Sequence, residues 1–213
     1  MNRFLDWAIA TVGAICASVI IISCAVQNFG FDPIPPTAYM VKITYPDGGH
    51  GSGVVVGPGL VITARHVAKD GMILEHGSGS VPGEIIWTGG KDMKNDLALV
   101  KFDPKGLNMH SLPVNCHTPV KVGDAVEVYG FALDMDLLRT TGTVAGFIHD
   151  MMIVDATIAP GNSGGPVIHN GELVGISVAI PLVPLGFYGV ALLPYDIVVK
   201  QDNICTALGK ELR

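Results

Sequence analysis

His66, Asp96 and Ser163 lie far apart in the chain and are of the types needed for nucleophilic catalysis: a base, an orienting acid and a nucleophile. A serine hydroxyl is a weak nucleophile at neutral pH and needs a neighbouring base to take its proton. Histidine titrates in the right range for that task. A carboxylate beside it fixes its tautomer and supports the imidazolium form. The sharpest local signal surrounds the serine, in Pro160-Gly161-Asn162-Ser163-Gly164-Gly165-Pro166. Glycines there allow a tight turn and a close substrate approach, so that backbone N–H groups converge on one small space. The negative oxygen of a tetrahedral acyl-transfer intermediate requires such donors. Alone, a loop of this kind is a plain β-turn; the histidine and the carboxylate give it chemical meaning.

The segment Gly161–Gly165 also fits the G-x-S-x-G elbow of α/β-hydrolases, in which the acid and then the histidine follow the serine. Only fifty of the 213 residues follow Ser163, and the sole later histidine, His169, lies six positions on. The elbow is therefore excluded on geometry.

The elements that must position these groups are short and β-rich. Thr63-Ala64-Arg65-His66-Val67 follows the apolar run Leu60-Val61-Ile62, which puts His66 at a strand end; Asn95-Asp96 directly precedes Leu97–Val100. Further runs are Val54–Val56, Ile85–Trp87, Val126–Tyr129, Met152–Val154, Leu173–Ile180 and Val190–Leu193. Asp47-Gly48-Gly49, Gly57-Pro58-Gly59, Gly89-Gly90 and Asn170-Gly171 separate them with turn chemistry, the last being the strongest hairpin signal. No helical period intervenes, which disfavours a parallel α/β sheet. The pattern predicts two antiparallel six-stranded β-barrels, at 38–112 and 113–213, connected through Pro104–Pro119. Asp196 is expected to cap a C-terminal helix carrying Ile197, Ile204, Leu208 and Leu212 on one side.

Composition narrows the function classes. The 213 residues are 49% hydrophobic and 15% charged, too apolar for a disordered chain. Thirteen Lys+Arg against nineteen Asp+Glu leave a net charge of −6, which disfavours phosphate neutralisation and hence nucleic acid as a partner. Trp7–Val26 holds sixteen apolar residues among twenty and no charge, long enough to cross a bilayer as a helix. Arg3 precedes this run and no Lys or Arg follows until Lys42, so the remainder is expected outside the cytoplasm. Three fates are open. The run stays as a single-pass anchor, is cleaved after Ser23-Cys24-Ala25, or is lipidated at Cys24, since Ile21-Ile22-Ser23-Cys24 resembles a lipobox. The anchor is preferred because the run exceeds a usual signal core of roughly 7 to 15 residues. Residues 1–37 then form an anchor or signal segment with a Pro-rich spacer.

Together these residues resemble the trypsin-like serine peptidases of chymotrypsin fold, especially the HtrA/Deg-type bacterial branch. The resemblance covers about Tyr39 to Pro194. It rests on Gly51-Ser52-Gly53-Val54-Val55, Thr63–Val67, Asn95–Val100, Val122-Gly123-Asp124, Val154–Pro166 and Gly171–Ile176 in that order. It implies a serine endopeptidase acting on protein or peptide substrates without cofactor or metal, with His66 as base, Asp96 as its orienting acid and Ser163 as nucleophile. It places the oxyanion hole at the N–H groups of Gly161 and Ser163, with the Asn162 peptide orienting the loop. Asn162 stands where the digestive branch has an activating Asp, so activation by a newly cut amino terminus is not expected. The resemblance assigns Val178-Ala179-Ile180 to the substrate-pairing strand, and Thr157 and Gly189 to the specificity pocket. None of these is charged and Ile180 replaces a small residue, so small or medium aliphatic side chains are expected beside the cut. Pro181–Phe187 is expected to be a mobile apolar loop at the pocket mouth. Family topology also brings the terminal helix near the inter-barrel connection, which suggests a Cys116–Cys205 disulfide. No PDZ module is recognisable, and the oligomeric state is left open.

Two alternatives stand beside this assignment: a non-catalytic peptide-binding relative of the same fold, and a dedicated processing or self-cleaving peptidase. The histidines 50, 76, 110, 117, 149 and 169 lack metal-ligand spacing and are expected to be surface or satisfied side chains; His149-Asp150 beside Asp155 is the nearest approach to a metal cluster.

Overall fold

The computed structural model describes residues 34–179, 182–184, 190–192 and 196–211. The apolar run 7–26 lies outside them, and no helix among the described residues is long and apolar enough to cross a membrane.

The first sheet contains β1 (Met40–Thr44), β2 (His50–Gly57), β3 (Leu60–Thr63), β4 (Ile73–His76), β5 (Gly79–Pro82), β6 (Glu84–Thr88) and β7 (Ala98–Lys101), in the order β5-β4-β1-β2-β3-β7-β6. This corrects the expected closed six-stranded barrel: there are seven strands, and β5 and β6 form the two margins of the sheet. The cause lies at Pro82-Gly83. Proline has no N–H to give a ladder, and the Gly83 N–H turns aside to Met72 O at 3.2 Å. A Cβ on Gly83 would sit 2.8 Å from Val100 Cγ1 and 3.0 Å from Met72 Cγ. A single continuous strand is thus broken in two at the one residue that lets it bend across the apolar interior.

The second sheet does close. β8 (Ala125–Gly130), β9 (Leu138–Ile148), β10 (Met151–Val154), β11 (Pro166–His169), β12 (Glu172–Ala179) and β15 (Asp196–Lys200) form a barrel in the order β10-β15-β12-β11-β8-β9. Asn170 and Gly171, at φ +52° and +80°, make the two-residue turn joining β11 to β12, a geometry whose twist suits a hairpin. Among the described residues, β13 (Leu182–Pro184) and β14 (Val190–Leu192) pair only with each other. The expected 190–193 strand therefore lies outside the barrel, and part of the expected apolar loop is a strand.

Asp196 does not cap a helix. It opens β15, which pairs with both β10 and β12. The β-branched run Ile197-Val198-Val199 suits a buried strand better than a helix. The helix α1 (Gln201–Glu211) starts five residues later. It buries Ile204 and Ala207 and is fastened to the inter-barrel connection by a Cys116–Cys205 disulfide with Cα atoms 5.9 Å apart.

That connection runs along both sheets: Leu112 N–H donates to Val55 O at 2.8 Å, Asn115 N–H to Leu173 O at 3.0 Å, and Leu173 N–H to Pro113 O at 2.8 Å. One apolar cluster joins the two units, with Val41, Ile62 and Leu99 from the first and Leu173, Ile176 and Ile204 from the second. Another, including Val128, Val144, Val174 and Val198, belongs to the second unit alone.

Candidate active site

Each candidate residue stands in a turn next to one end of a strand. β3 ends at Thr63, and Val67 N–H closes a turn onto Ala64 O at 3.0 Å, leaving His66 on the outside with its side chain 42% exposed. Asp96 follows a single helical turn at Met93–Asn95, with its N–H on Met93 O at 3.2 Å, just before buried Leu97 draws the chain into β7.

His66 and Asp96 meet. The imidazole Nδ1 lies 2.7 Å from Asp96 Oδ2, and the His66 backbone N–H donates to Oδ1 at 3.0 Å. Because the carboxylate accepts, Nδ1 carries the proton and Nε2 is left with a lone pair. Arg65 Nε lies 3.8 Å from Asp96 Oδ1. Burial pushes the Asp96 carboxyl up. The His66 hydrogen bonds and charge, with a smaller contribution from Arg65, overcome that effect and hold it below the usual carboxylate range.

The Ser163 loop is wedged against the first sheet. Ser52 N–H donates to Ser163 O at 2.8 Å. A Cβ on Gly51 would sit 2.7 Å from Val67 Cγ1 and 3.3 Å from Ser163 O, so Gly51 lies between the Ser163 main chain and the residue after His66. Gly164 packs onto Ser52 O and Thr63 Oγ1, and its Cβ would come 3.1 Å from Ala64 N. The Ser163 main chain is therefore brought to the end of β3, the strand that leads into His66. No hydrogen bond among the described residues joins Ser163 Oγ to the imidazole, a contact that catalytic sites often complete only with substrate bound.

The backbone donors of this loop divide into two sets. Asn162 N–H donates to Ala159 O at 3.0 Å, Gly164 N–H to Ser177 O at 2.8 Å, and Gly165 N–H to Asn162 O at 2.8 Å. The N–H groups of Gly161 and Ser163 have no hydrogen-bond partner among the described residues. Gly161 adopts φ +102°, which only glycine takes without strain. Asn162 is buried, with its side-chain oxygen packed on Gly130 and without a hydrogen-bond partner among the described residues.

In the strand expected to pair with substrate, Val178 is buried in the joint core and Ala179 pairs with Ile197. Thr157 is exposed. Ile180 and Gly189 lie outside the described residues. Inside the second barrel, Ser177 Oγ donates to Asp196 Oδ1 at 2.9 Å, while Oδ2 is buried without a partner among the described residues. Burial drives that carboxyl well above its ordinary pKa, and the Ser177 bond opposes it only in part.

Sequence reasoning missed three residues at the site. Arg65 was detectable as a charge next to His66. Ser52 bridges the two units, donating to Gly161 O at 2.7 Å and accepting from Phe131 N–H at 3.0 Å. His50 does likewise, with Nε2 2.8 Å from Phe131 O. Asp155 is engaged by Thr143, and no group of three potential metal ligands occurs among the described residues.

Residues 51–176 match the trypsin-like peptidase domain family. A putative serine protease, HhoA, from Synechocystis sp. is 29% identical over 194 residues, covering 83% of this chain and 46% of its own length. A probable periplasmic serine endoprotease, DegP-like, from Pseudomonas savastanoi pv. phaseolicola is 32% identical over 177 residues, covering 76% of this chain and 36% of its own. The chain thus spans less than half the length of these curated relatives. In three dimensions it is similar to the serine endoprotease of Yersinia pestis, with a TM-score of 0.65 and 24% identity over 82% of this chain and 62% of that one.

Proposed function

The chain belongs to the trypsin-like peptidase family, and from that membership we propose that it is a serine endopeptidase working through His66, Asp96 and Ser163. The observation that carries this reading is the His66–Asp96 pair near a serine loop whose Gly161 and Ser163 N–H groups have no partner among the described residues. Asp96 holds the Nδ1–H tautomer, so Nε2 is free to take the Ser163 proton as Oγ attacks a peptide carbonyl. The tetrahedral oxygen then accepts from Gly161 and Ser163 N–H. As the intermediate collapses, the imidazolium returns its proton to the leaving amine, and the acyl group stays on Ser163 until water, activated by the same imidazole, releases it.

Around this chemistry we place two β units, the open sheet at 38–112 and the closed barrel with its terminal helix at 113–213. A peptide substrate pairs with the Val178–Ile180 strand, with a small or medium aliphatic side chain beside the cut. The apolar run at 7–26 tethers the peptidase to the outer side of the cytoplasmic membrane. Similarity to relatives named periplasmic supports that compartment.

The test is labelling of the full chain in detergent with a fluorophosphonate probe, beside Ser163→Ala. Labelling of the natural chain and none of the variant is expected. A folded natural chain that stays unlabelled defeats the proposal, and abundant cuts after Arg or Lys in a peptide library defeat the aliphatic preference.

A further inference from the structure

Among the described residues Gly161 N–H makes no hydrogen bond, so its direction is set by the rest of its peptide group. In a trans peptide the C=O and N–H point opposite ways. The carbonyl of that group, Pro160 O, accepts Leu133 N–H at 2.8 Å. The turn containing Leu133 thus aims the Gly161 N–H. Leu133 sits at φ +52°, a region a non-glycine residue occupies only where its surroundings impose it.

The turn is held in its turn by β2. His50 and Ser52 are two residues apart on one strand, so they project from the same face. Phe131 O can only accept, so His50 Nε2 carries the proton and donates to it at 2.8 Å. Phe131 N–H donates to Ser52 Oγ at 3.0 Å, and Ser52 Oγ–H passes on to Gly161 O at 2.7 Å. The His50 ring also bears on Gly161 itself: a Cβ there would come 2.5 Å from Nε2. One strand face of the first unit thereby fixes both polar groups of Phe131, two residues before Leu133, and closes the space behind Gly161.

We infer that His50 is a positioning residue for the oxyanion hole, acting through Phe131 and the Leu133–Pro160 hydrogen bond to hold the Gly161 N–H toward the reacting carbonyl. This rests on the peptidase reading above. In this role His50 acts through Phe131 and not on the reacting atoms, so its contribution is expected in the transition state and not in substrate binding.

The experiment compares the full chain with His50→Leu, which removes the donor, and His50→Gln, whose amide N–H restores one. Each is assayed for peptide hydrolysis, for inhibition by a peptidyl trifluoromethyl ketone, which forms a tetrahedral oxyanion on the serine, and for inhibition by the matching peptidyl alcohol, which does not. For His50→Leu, kcat and ketone affinity are expected to fall by about tenfold, less than the 10²–10³ of deleting a donor outright. Alcohol affinity should stay within about twofold, and His50→Gln should recover most of the loss. Equal loss for ketone and alcohol, no loss at all, or failure of His50→Gln to recover overturns the inference while leaving the peptidase reading standing. A natural chain that neither hydrolyses peptides nor binds the ketone removes both. Should His50→Leu not fold, Ser52→Ala releases Phe131 and Gly161 from the same strand; ketone-selective loss is again expected, and uniform loss overturns the inference.

Discussion

Two buried carboxylates, Asp96 at the rim between the units and Asp196 inside the second barrel, have opposite surroundings. Asp96 is 8% exposed and accepts two hydrogen bonds from His66, with Arg65 close by. Asp196 is fully buried and receives one hydroxyl, from Ser177. Donors and a nearby cation favour the ionised form of the first, whereas desolvation, with a single neutral donor among the described residues, favours the protonated form of the second. Burial alone therefore does not decide the state of an acid in this fold; the number and charge of its donors do. The stabilities they confer run in opposite directions with pH. Asp96 contributes above its unfolded pKa of about 4 and loses that contribution as pH falls through its lowered folded value. Asp196 contributes fully below about 4 and loses its contribution as pH rises toward its raised folded value.

The largest effect tests the rim. Asp96→Asn replaces an acceptor with an amide that can donate to Nδ1, which favours the wrong imidazole tautomer. A loss in kcat of about 10³–10⁴-fold is expected at neutral pH, measured with a cleaved peptide, with little change in fold by circular dichroism. A loss below tenfold would mean that the carboxylate does not orient His66.

Next comes the interior. Ser177→Ala strips Asp196 of its hydroxyl donor and should destabilise the chain by about 1–3 kcal/mol, read from urea unfolding at pH 7. Asp196→Asn is expected to be milder, within about 1 kcal/mol at neutral pH, because an amide imitates the protonated acid. It should also abolish the decline in stability between mildly acidic and alkaline pH. If Asp196→Asn instead costs as much at pH 5 as at pH 9, the carboxyl is not neutral in the folded chain and the contrast with Asp96 collapses.

The same contrast explains what could be read from the sequence. His66, Asp96 and Ser163 stand out as candidates because each is of a reactive type and lies near a strand end in a recognisable string. The hairpin at Asn170-Gly171 was visible because its backbone angles are a local property. Asp196 was misread as a helix cap because aspartate favours that place locally, whereas its environment comes from β10 and β12, distant in sequence and closing the barrel on both sides. The break at Gly83 depends on Met72 and Val100 packing against it. The His50–Phe131 bond joins residues 81 positions apart. Residue type and local turn chemistry point to the candidate groups; the groups packed behind them are set by tertiary contact.

The smallest expected effect separates hydrogen bonding from charge at Asp96. Arg65 Nε is buried without a hydrogen-bond partner and stands 3.8 Å from Oδ1, while the guanidinium side chain is 29% exposed. An ion pair at that distance, partly screened by water, does little beside two direct donors. Arg65→Gln should therefore lower kcat/KM by no more than about threefold. Because it relaxes part of the depression of the Asp96 pKa, the acid-unfolding midpoint should move slightly upward in pH. Both are read from a pH series of activity and intrinsic fluorescence. A loss approaching that of Asp96→Asn would show that the guanidinium charge, and not the imidazole, holds the carboxylate ionised. The rule drawn from the two acids would then have to give charge precedence over donor count.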